Sequence, residues 1–416
     1  MSVPVLLLEA AGPESEALAR AAAASGHRVH AVTDAATLAT YSGELRRLLA
    51  GCLVTDFAQP GQTLADITHY GRRIGVQALL TVNEYLTDLA ASACAALGLP
   101  GNDPERAGAA RNKALMAAAL DDGHVITPRT TIVADLRELR DLYPAEAVGF
   151  PCVVKPADGA GSAGVTVVTG PEGLEPAWHA ARAARVMYGL PRDERVLVQE
   201  YVGGREFSVE SVTQHGVTTH LCITRKHTTG GTHRVELGHA LPARLPAAAE
   251  RTLLDQAGRA VTAVGVRNGA THTELVLGAD GRCTVLEIGA RLGAGHIGVL
   301  IQHALGIDPW RTLWDIALGR HPAALTPTRG RYAAVRFLTT PHAGRLVAVT
   351  GLPAVSTTIP AVRVRVAEGA PVGPATSNRG RLGHVIVTGH DPLAIDDQAD
   401  RILRQITITV GPGSQS

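Results

Sequence analysis

Pro151 to Val168 reads PCVVKPADGAGSAGVTVV, and the order of its parts decides the fold. Val153 and Val154 run into Lys155 and Pro156. A loop carrying Gly159, Gly161, Ser162 and Gly164 follows, and Val165 to Val168 resume a β-branched run. The pattern is therefore strand, glycine loop, strand. The loop fits G-x-G-x-x-G, but a dinucleotide-binding turn of that kind opens a helix, and here a strand comes next. A kinase-type glycine loop also lies between strands, yet its lysine follows the loop and HRD and DFG motifs come later. This chain has neither motif. Two readings stay open. One is a flap whose backbone N–H groups cover phosphates beside the point charge of Lys155; the other is a plain glycine-rich hairpin.

Upstream of this stretch, strand and helix signals alternate from residue 3 to about 107. Strands are expected at Val3–Leu8, Val29–Val32, Cys52–Thr55 and Ala78–Val82, with helices near Glu14–Ala24, Leu64–Arg73 and Tyr85–Leu97, the last stopped by Gly98. Such alternation predicts a parallel sheet with helices on its faces. Its first strand-to-helix turn has one glycine, Gly12, so scaffold is a better reading there than nucleotide binding. Asp103 and Pro104 look like the start of a helix that carries Lys113 to about Leu120. A helix is expected around Leu174–Val186, a strand at Val196–Val202, and a hinge at Gly203-Gly204.

Downstream, residues 206–289 read mainly as strand around a helix near Ala248–Val264. The segment from His272 to Arg291, HTELVLGADGRCTVLEIGAR, is a hairpin with Asp280-Gly281 as a two-residue turn. Pairing outward from that turn sets Ala279 against Arg282, Leu277 against Thr284, Leu275 against Leu286, and Glu274 against Glu287. Like charges directly opposite are destabilising unless neutralised. A divalent cation would do so, since magnesium is held by one or two carboxylates plus substrate phosphates; a solvent-facing acidic pair is the alternative. The last segment gives short strands around Tyr332–Leu338, Val362–Val366 and Leu382–Thr388, a helix near Leu393–Gln405 and a loose tail from Gly411 to Ser416. Arg379 and Arg381 read there as surface charges rather than substrate contacts.

At 416 residues and 45% apolar content the chain can build several cores, and a net charge of +1 leaves no global basic field for nucleic acid or membranes. Aromatic content of 3% argues against base-stacking platforms. Cys52, Cys94, Cys152, Cys222 and Cys283 are scattered in apolar segments without a C-x-x-C pair, as buried free thiols in a reducing compartment would be. Met1-Ser2-Val3-Pro4 enters an apolar run without a basic leader, and no run reaches the roughly 18 residues of a membrane helix. A cytoplasmic protein is expected.

Two lysines, a glycine flap, a hinge with an acid beyond it, and a carboxylate pair followed by arginine arrive in a fixed order. That order resembles the ATP-grasp superfamily over about residues 70–400, most of all from Lys113 to Arg291. Leu97-Gly98-Leu99-Pro100-Gly101, Asn112-Lys113, VELGHALP at Val235–Pro242 and EIGAR at Glu287–Arg291 are similar to the branch that ligates L-amino acids into dipeptides. The resemblance implies an α/β fold, α+β in parts: an N-terminal Rossmann-like unit (1–107), a small lobe with the flap (108–202), a large lobe with a metal site (203–320) and a C-terminal β-rich α+β extension (321–416). It also implies ATP and magnesium, with manganese as an alternative, and small-molecule carboxylate and amine substrates of amino-acid type. A homodimer is left open.

Carried over by the resemblance, Lys113 and Lys155 hold the α- and β-phosphates under the flap formed by Gly159, Gly161, Ser162 and Gly164. Gln199, Glu200 and Val202 meet the adenine edge, and Glu206 takes the ribose hydroxyls. Glu274 and Glu287 bind the metal, Arg291 neutralises the γ-phosphate and the acyl phosphate made from it, and His239 steadies the tetrahedral intermediate or positions the carboxylate. His239 reads equally well as an ordinary core histidine, since the chain has 17 histidines. Gly289 departs from the asparagine that completes the metal shell in many members, and Asn112 stands where aspartate is more usual. Competing readings are an ATP-grasp carboxylase or purine-synthesis ligase, and a non-catalytic nucleotide-binding protein. A loop from Asp158 to Val165 that acts as a lid is expected to stand open or be poorly ordered when no nucleotide is bound.

Overall fold

The protein is described by a computed structural model covering residues 2–142, 148–184, 186–322 and 325–412. Residues 413–416 of the expected loose tail, and residue 185 near the end of the expected 174–186 helix, lie outside it. The N-terminal strands are β1 (Pro4–Leu8), β2 (Arg28–Thr33), β3 (Leu49–Val54) and β4 (Ala78–Leu80). They pair in parallel in the order β3-β2-β1-β4. The run Val5-Leu6-Leu7-Leu8 is fully buried, as a strand covered by helices on both faces must be. The helix Thr87–Leu97 ends at Gly98 in the left-handed conformation expected of a glycine stop.

The second sheet consists of β5 (Thr130–Val133), β6 (Cys152–Pro156), β7 (Thr166–Val168) and β8 (Val196–Glu200), antiparallel in the order β5-β8-β6-β7. The strand–loop–strand reading of the opening stretch is observed, with Cys152, Val153 and Val154 opposite Val168, Val167 and Thr166. The helix Leu174–Ala183 covers this sheet through Leu174, Ala177 and Ala181.

The remaining strands are β9 (Arg205–Gln214), β10 (Val217–Thr228), β11 (Glu236–Leu241), β12 (Gly269–Leu277), β13 (Cys283–Gly289), β14 (Tyr332–Leu338), β15 (Gly344–Thr350), β16 (Ala361–Val364), β17 (Pro371–Val372), β18 (Gly383–Gly389) and β19 (Thr407–Gly411). Eight of them form one sheet, β13-β12-β9-β10-β11-β14-β18-β16, so strands beyond residue 321 continue the sheet that carries the carboxylate hairpin. β17, β15 and β19 make a small separate sheet, which places Gly411 in a strand. One hydrophobic core joins Val5 and Leu7 of the first sheet to Trp310, Trp314, Phe337 and Ile386, and Trp314 Nε1 donates to the Leu18 carbonyl at 2.9 Å. A second core packs the helices Lys113–Asp122 and Ala247–Ala263 on β9, β12 and β13.

Candidate active site

A cavity of about 430 Å³ opens between the second sheet, the eight-stranded sheet and the loop after β4. Lys113, Lys155, Gly159, Gly161, Ser162, Gln199, Glu200, Val202, Glu206, His239, Glu274, Glu287 and Arg291 all line it. Of the residues singled out from the sequence, Gly164 does not. It lies at φ +72°, and a Cβ there would come within 3.0 Å of Ala181 and Ala184, so this glycine seats the foot of the loop on the helix Leu174–Ala183.

Lys113 does not ride within the helix begun at Asp103. That helix stops at Ala107, and Lys113 is the first residue of a new one capped by Asn112, whose Oδ1 accepts from the N–H groups of Ala114 and Leu115. The Asn112 Nδ2 also donates to Asp193 at 2.8 Å. Asparagine here caps a helix and braces the small lobe. So placed, Lys113 Nζ reaches the Gly159 carbonyl at 2.8 Å and Glu287 Oε1 at 3.0 Å. Burial pushes its pKa down, but the charge and hydrogen bond of Glu287 outweigh burial and leave it raised. Lys155 is equally buried with less compensation, and desolvation lowers it to about 8 although Glu287 works against the shift.

The hairpin is corrected in its turn and agrees at its carboxylates. Leu277 pairs with Cys283 and Leu275 with Val285, one residue off the expected register, because residues 278–282 make a longer connection than a two-residue turn. The register shifts between Glu274 and Leu275, and Glu274 then faces Glu287. The neutralising charge comes from lysines: Lys226 Nζ sits 2.7 Å from Glu274 Oε1, and Lys113 holds Glu287. Among the described residues no three His, Cys, Asp or Glu side chains are grouped to hold a metal ion. Two carboxylates side by side on a cavity wall still suit magnesium, whose remaining ligands would come from phosphate oxygens and water. The space over Gly289 is filled by Glu84, whose carboxylate oxygens would be 3.2 and 3.3 Å from a Cβ at that position. Glu84 pairs with Arg291.

The opposite wall contains residues to which the sequence assigned no role. Lys226 also meets Glu236 Oε1 at 2.7 Å. His272 donates from Nδ1 to Glu210 Oε1 (2.9 Å) and from Nε2 to Glu274 Oε1 (3.1 Å). Burial lowers the His272 pKa, but the Glu210 carboxylate reverses this and raises it to about 9. Glu274 is held well below the carboxylate range despite burial, by Lys226 and then His272. Arg381 is buried, donates to Glu236 Oε2 at 2.6 Å and stacks 3.8 Å from the Phe337 ring centroid, so it is no surface charge. Arg379 lines the cavity. His239 is buried with neither ring nitrogen hydrogen-bonded, its Nε2 3.7 Å from Glu236 Oε2, and desolvation drives its pKa to about 3, so it is a neutral imidazole facing the cavity. Gln199 donates to Thr130 Oγ1 at 2.8 Å, Glu200 meets Arg129 Nε at 3.2 Å, and Glu206 pairs with Arg234, another lining residue.

The loop 158–165 is not open. Gly159 O accepts from Lys113 Nζ at 2.8 Å, and Gly161 O accepts from the Asn378 N–H at 3.1 Å. Two residues of the loop are thus tied to two different parts of the chain.

The ATP-grasp domain family matches residues 148–299, the ATP-grasp N-terminal domain residues 19–101, and L-amino acid ligase C-terminal domain 2 residues 336–411. The chain thus carries an ATP-grasp domain, with an ATP-grasp N-terminal domain before it and an L-amino acid ligase C-terminal domain after it. Alanine–anticapsin ligase of Bacillus subtilis is 25% identical over 271 residues, 61% of this chain and 57% of that protein, so the match spans somewhat over half of the relative's length. The crystal structure of L-amino acid ligase from Bacillus licheniformis superposes with a TM-score of 0.83 at 21% identity, covering 99% of both chains. Phosphoribosylglycinamide synthetase from Anaerococcus prevotii has the same fold, with a TM-score of 0.74 and 18% identity over 99% of this chain and 100% of that one.

Proposed function

We propose that the protein is an ATP-dependent carboxylate–amine ligase that joins amino acids through an acyl phosphate, releasing ADP and phosphate. The observation that carries this reading is a single cavity with two buried lysines under a glycine loop at one end and a neutral histidine among balanced charges at the other. A substrate carboxylate oxygen would attack the γ-phosphorus while the bond to the ADP oxygen breaks. The amine nitrogen would then attack the acyl carbon, lose a proton and expel phosphate. Lys113 and Lys155 bind and orient the phosphates, and Arg291, braced by Glu84, meets the charge on the transferred group. His239, uncharged and with neither ring nitrogen hydrogen-bonded, is placed to hydrogen-bond the oxygen that gains charge at the acyl carbon. Magnesium or manganese, when bound by Glu274 and Glu287, supplies further charge neutralisation at the phosphates. The loop 158–165 keeps water from the acyl phosphate. Gln199, Glu200, Val202 and Glu206 form the wall for adenine and ribose.

The domain matched at residues 336–411 favours amino acids over a bicarbonate or ribosylamine acceptor. Free thiols at all five cysteines fit a cytoplasmic location, and among the described residues no helix is long and apolar enough to cross a membrane. The test is phosphate and ADP release over pairs of amino acids, with mass detection of the product. Release of AMP would contradict the acyl-phosphate route. Arg291→Ala should lower ADP release by about 100-fold or more while leaving the fold intact, and near-normal turnover would sink the assignment.

A further inference from the structure

The tie between Asn378 and the flap does not end at Asn378. Its side-chain Nδ2 donates to Glu236 Oε2 at 2.9 Å, and its Oδ1 accepts from the Glu236 N–H at 3.1 Å. Three residues on, Arg381 Nε donates to the Glu236 carbonyl at 2.9 Å and its Nη2 to Oε2 at 2.6 Å. The segment 378–381 therefore grips Glu236, the first residue of β11, by both its backbone and its carboxylate. The other carboxylate oxygen of Glu236 holds Lys226, which holds Glu274. An unbroken polar path runs Gly161, Asn378, Glu236, Lys226, Glu274. It starts on the loop above the phosphate end and finishes on the carboxylate pair, passing through the acceptor-side wall. The foot of the flap leans on the same wall, since Val167 N–H donates to the Thr232 carbonyl at 2.8 Å in the loop before β11.

We propose that residues 378–381 are a latch, with Asn378 as a positioning residue that holds the glycine flap closed by anchoring Gly161 to Glu236. This rests on reading the cavity as a nucleotide site. Single-turn glycine loops have little packing of their own and open readily, so a loop held by a few polar ties depends on each of them. The latch makes flap closure sensitive to the state of the acceptor wall, because anything that moves Glu236 or Lys226 moves Asn378.

Two substitutions separate its parts. Asn378→Ala keeps the N–H that bonds Gly161 and removes the grip on Glu236. Asn378→Pro removes both, and proline is tolerated there because residue 378 opens a short turn and Ser377 before it is extended, at φ −156° and ψ 173°. Hydrogen–deuterium exchange of the full-length protein without nucleotide should show residues 159–165 protected in the wild type. Exchange there should rise about threefold in Asn378→Ala and about tenfold in Asn378→Pro, with the strand Pro4–Leu8 unchanged. Equal exchange in Asn378→Pro and wild type, or a wild-type flap exchanging like unstructured chain, would overturn the latch. Release of a fluorescent ATP analogue, measured by stopped flow, should be about fivefold faster in Asn378→Pro, a shift that a remote packing role would not produce. An unchanged release rate would overturn the positioning role. If the wild type binds no nucleotide, the ATP reading falls instead, and the exchange experiment, which needs no ligand, still decides the latch.

Discussion

The two ends of the cavity are built on different charge balances. At the acceptor end, Lys226, His272 and Arg381 are matched by Glu210, Glu236 and Glu274, and every one of these groups is in an ion pair. At the phosphate end, Lys113 pairs with Glu287, while Lys155 has only the longer-range attraction of Glu287 and Glu274 and is left with its pKa depressed to about 8. One end is balanced in charge. The other has unmet positive charge in a desolvated place, which an incoming polyanion would relieve.

The largest expected effect is at Glu287, which pairs with Lys113 and offsets part of the burial of Lys155. Glu287→Gln should cut ADP release by about 1,000-fold or more, with the circular-dichroism spectrum of the folded protein retained; retained turnover would mean that the two ends are not distinguished as described. Next is Glu236→Ala, which leaves Lys226 and Arg381 buried with half their partners gone. Denaturant unfolding should show a loss of about 3 kcal/mol. Lys155→Met should act in the opposite direction, stabilising the empty protein by about 1 kcal/mol while weakening ATP binding, because a buried lysine with too little compensation costs stability. If both variants destabilise alike, the contrast between the ends fails.

The smallest effects are in the pH dependence, and they have opposite signs. Lys155 has a folded pKa below the ordinary lysine value, so the unfolded chain binds the extra proton between about pH 8 and the ordinary lysine range, and stability rises with pH across that window. His272 is raised to about 9, so its contribution is complete below the ordinary histidine pKa and is lost as pH rises through 9. Urea unfolding across pH 6 to 10 should therefore lose its alkaline fall in His272→Gln and its compensating rise in Lys155→Met. ATP affinity should weaken above pH 8 in the wild type and not in Lys155→Arg.

What the sequence made legible follows the same division. The flap, Lys113, Lys155, the carboxylate pair and Arg291 each lie in a local motif, and those motifs follow one another along the chain in an order with little ambiguity. Alternating apolar runs also predict the parallel N-terminal sheet well. The two-residue turn at Asp280-Gly281 was a local inference, and local propensity missed the longer connection. Glu274 faces Glu287 because a bulge restores the parity that the turn lost. The acceptor wall was not legible because its members come from β9, β10, β11, β12 and the 378–381 segment, brought together only by sheet order. A charged residue such as Arg381 is ordinarily exposed, and only its partners on β11 reveal that it is buried. The strands β15, β17 and β19 are short and half exposed, with little periodic signal.

The contact between Glu84 and Arg291 has a consequence for how such a protein can be recombined. The acid lies in the loop after β4, while the arginine follows β13, about two hundred residues later in the chain. A chimera that takes its first hundred residues from another member would import a different neighbour for Arg291, and with it a different aim for the guanidinium. The N-terminal sheet is therefore not an interchangeable module: it is inherited together with the arginine it orients.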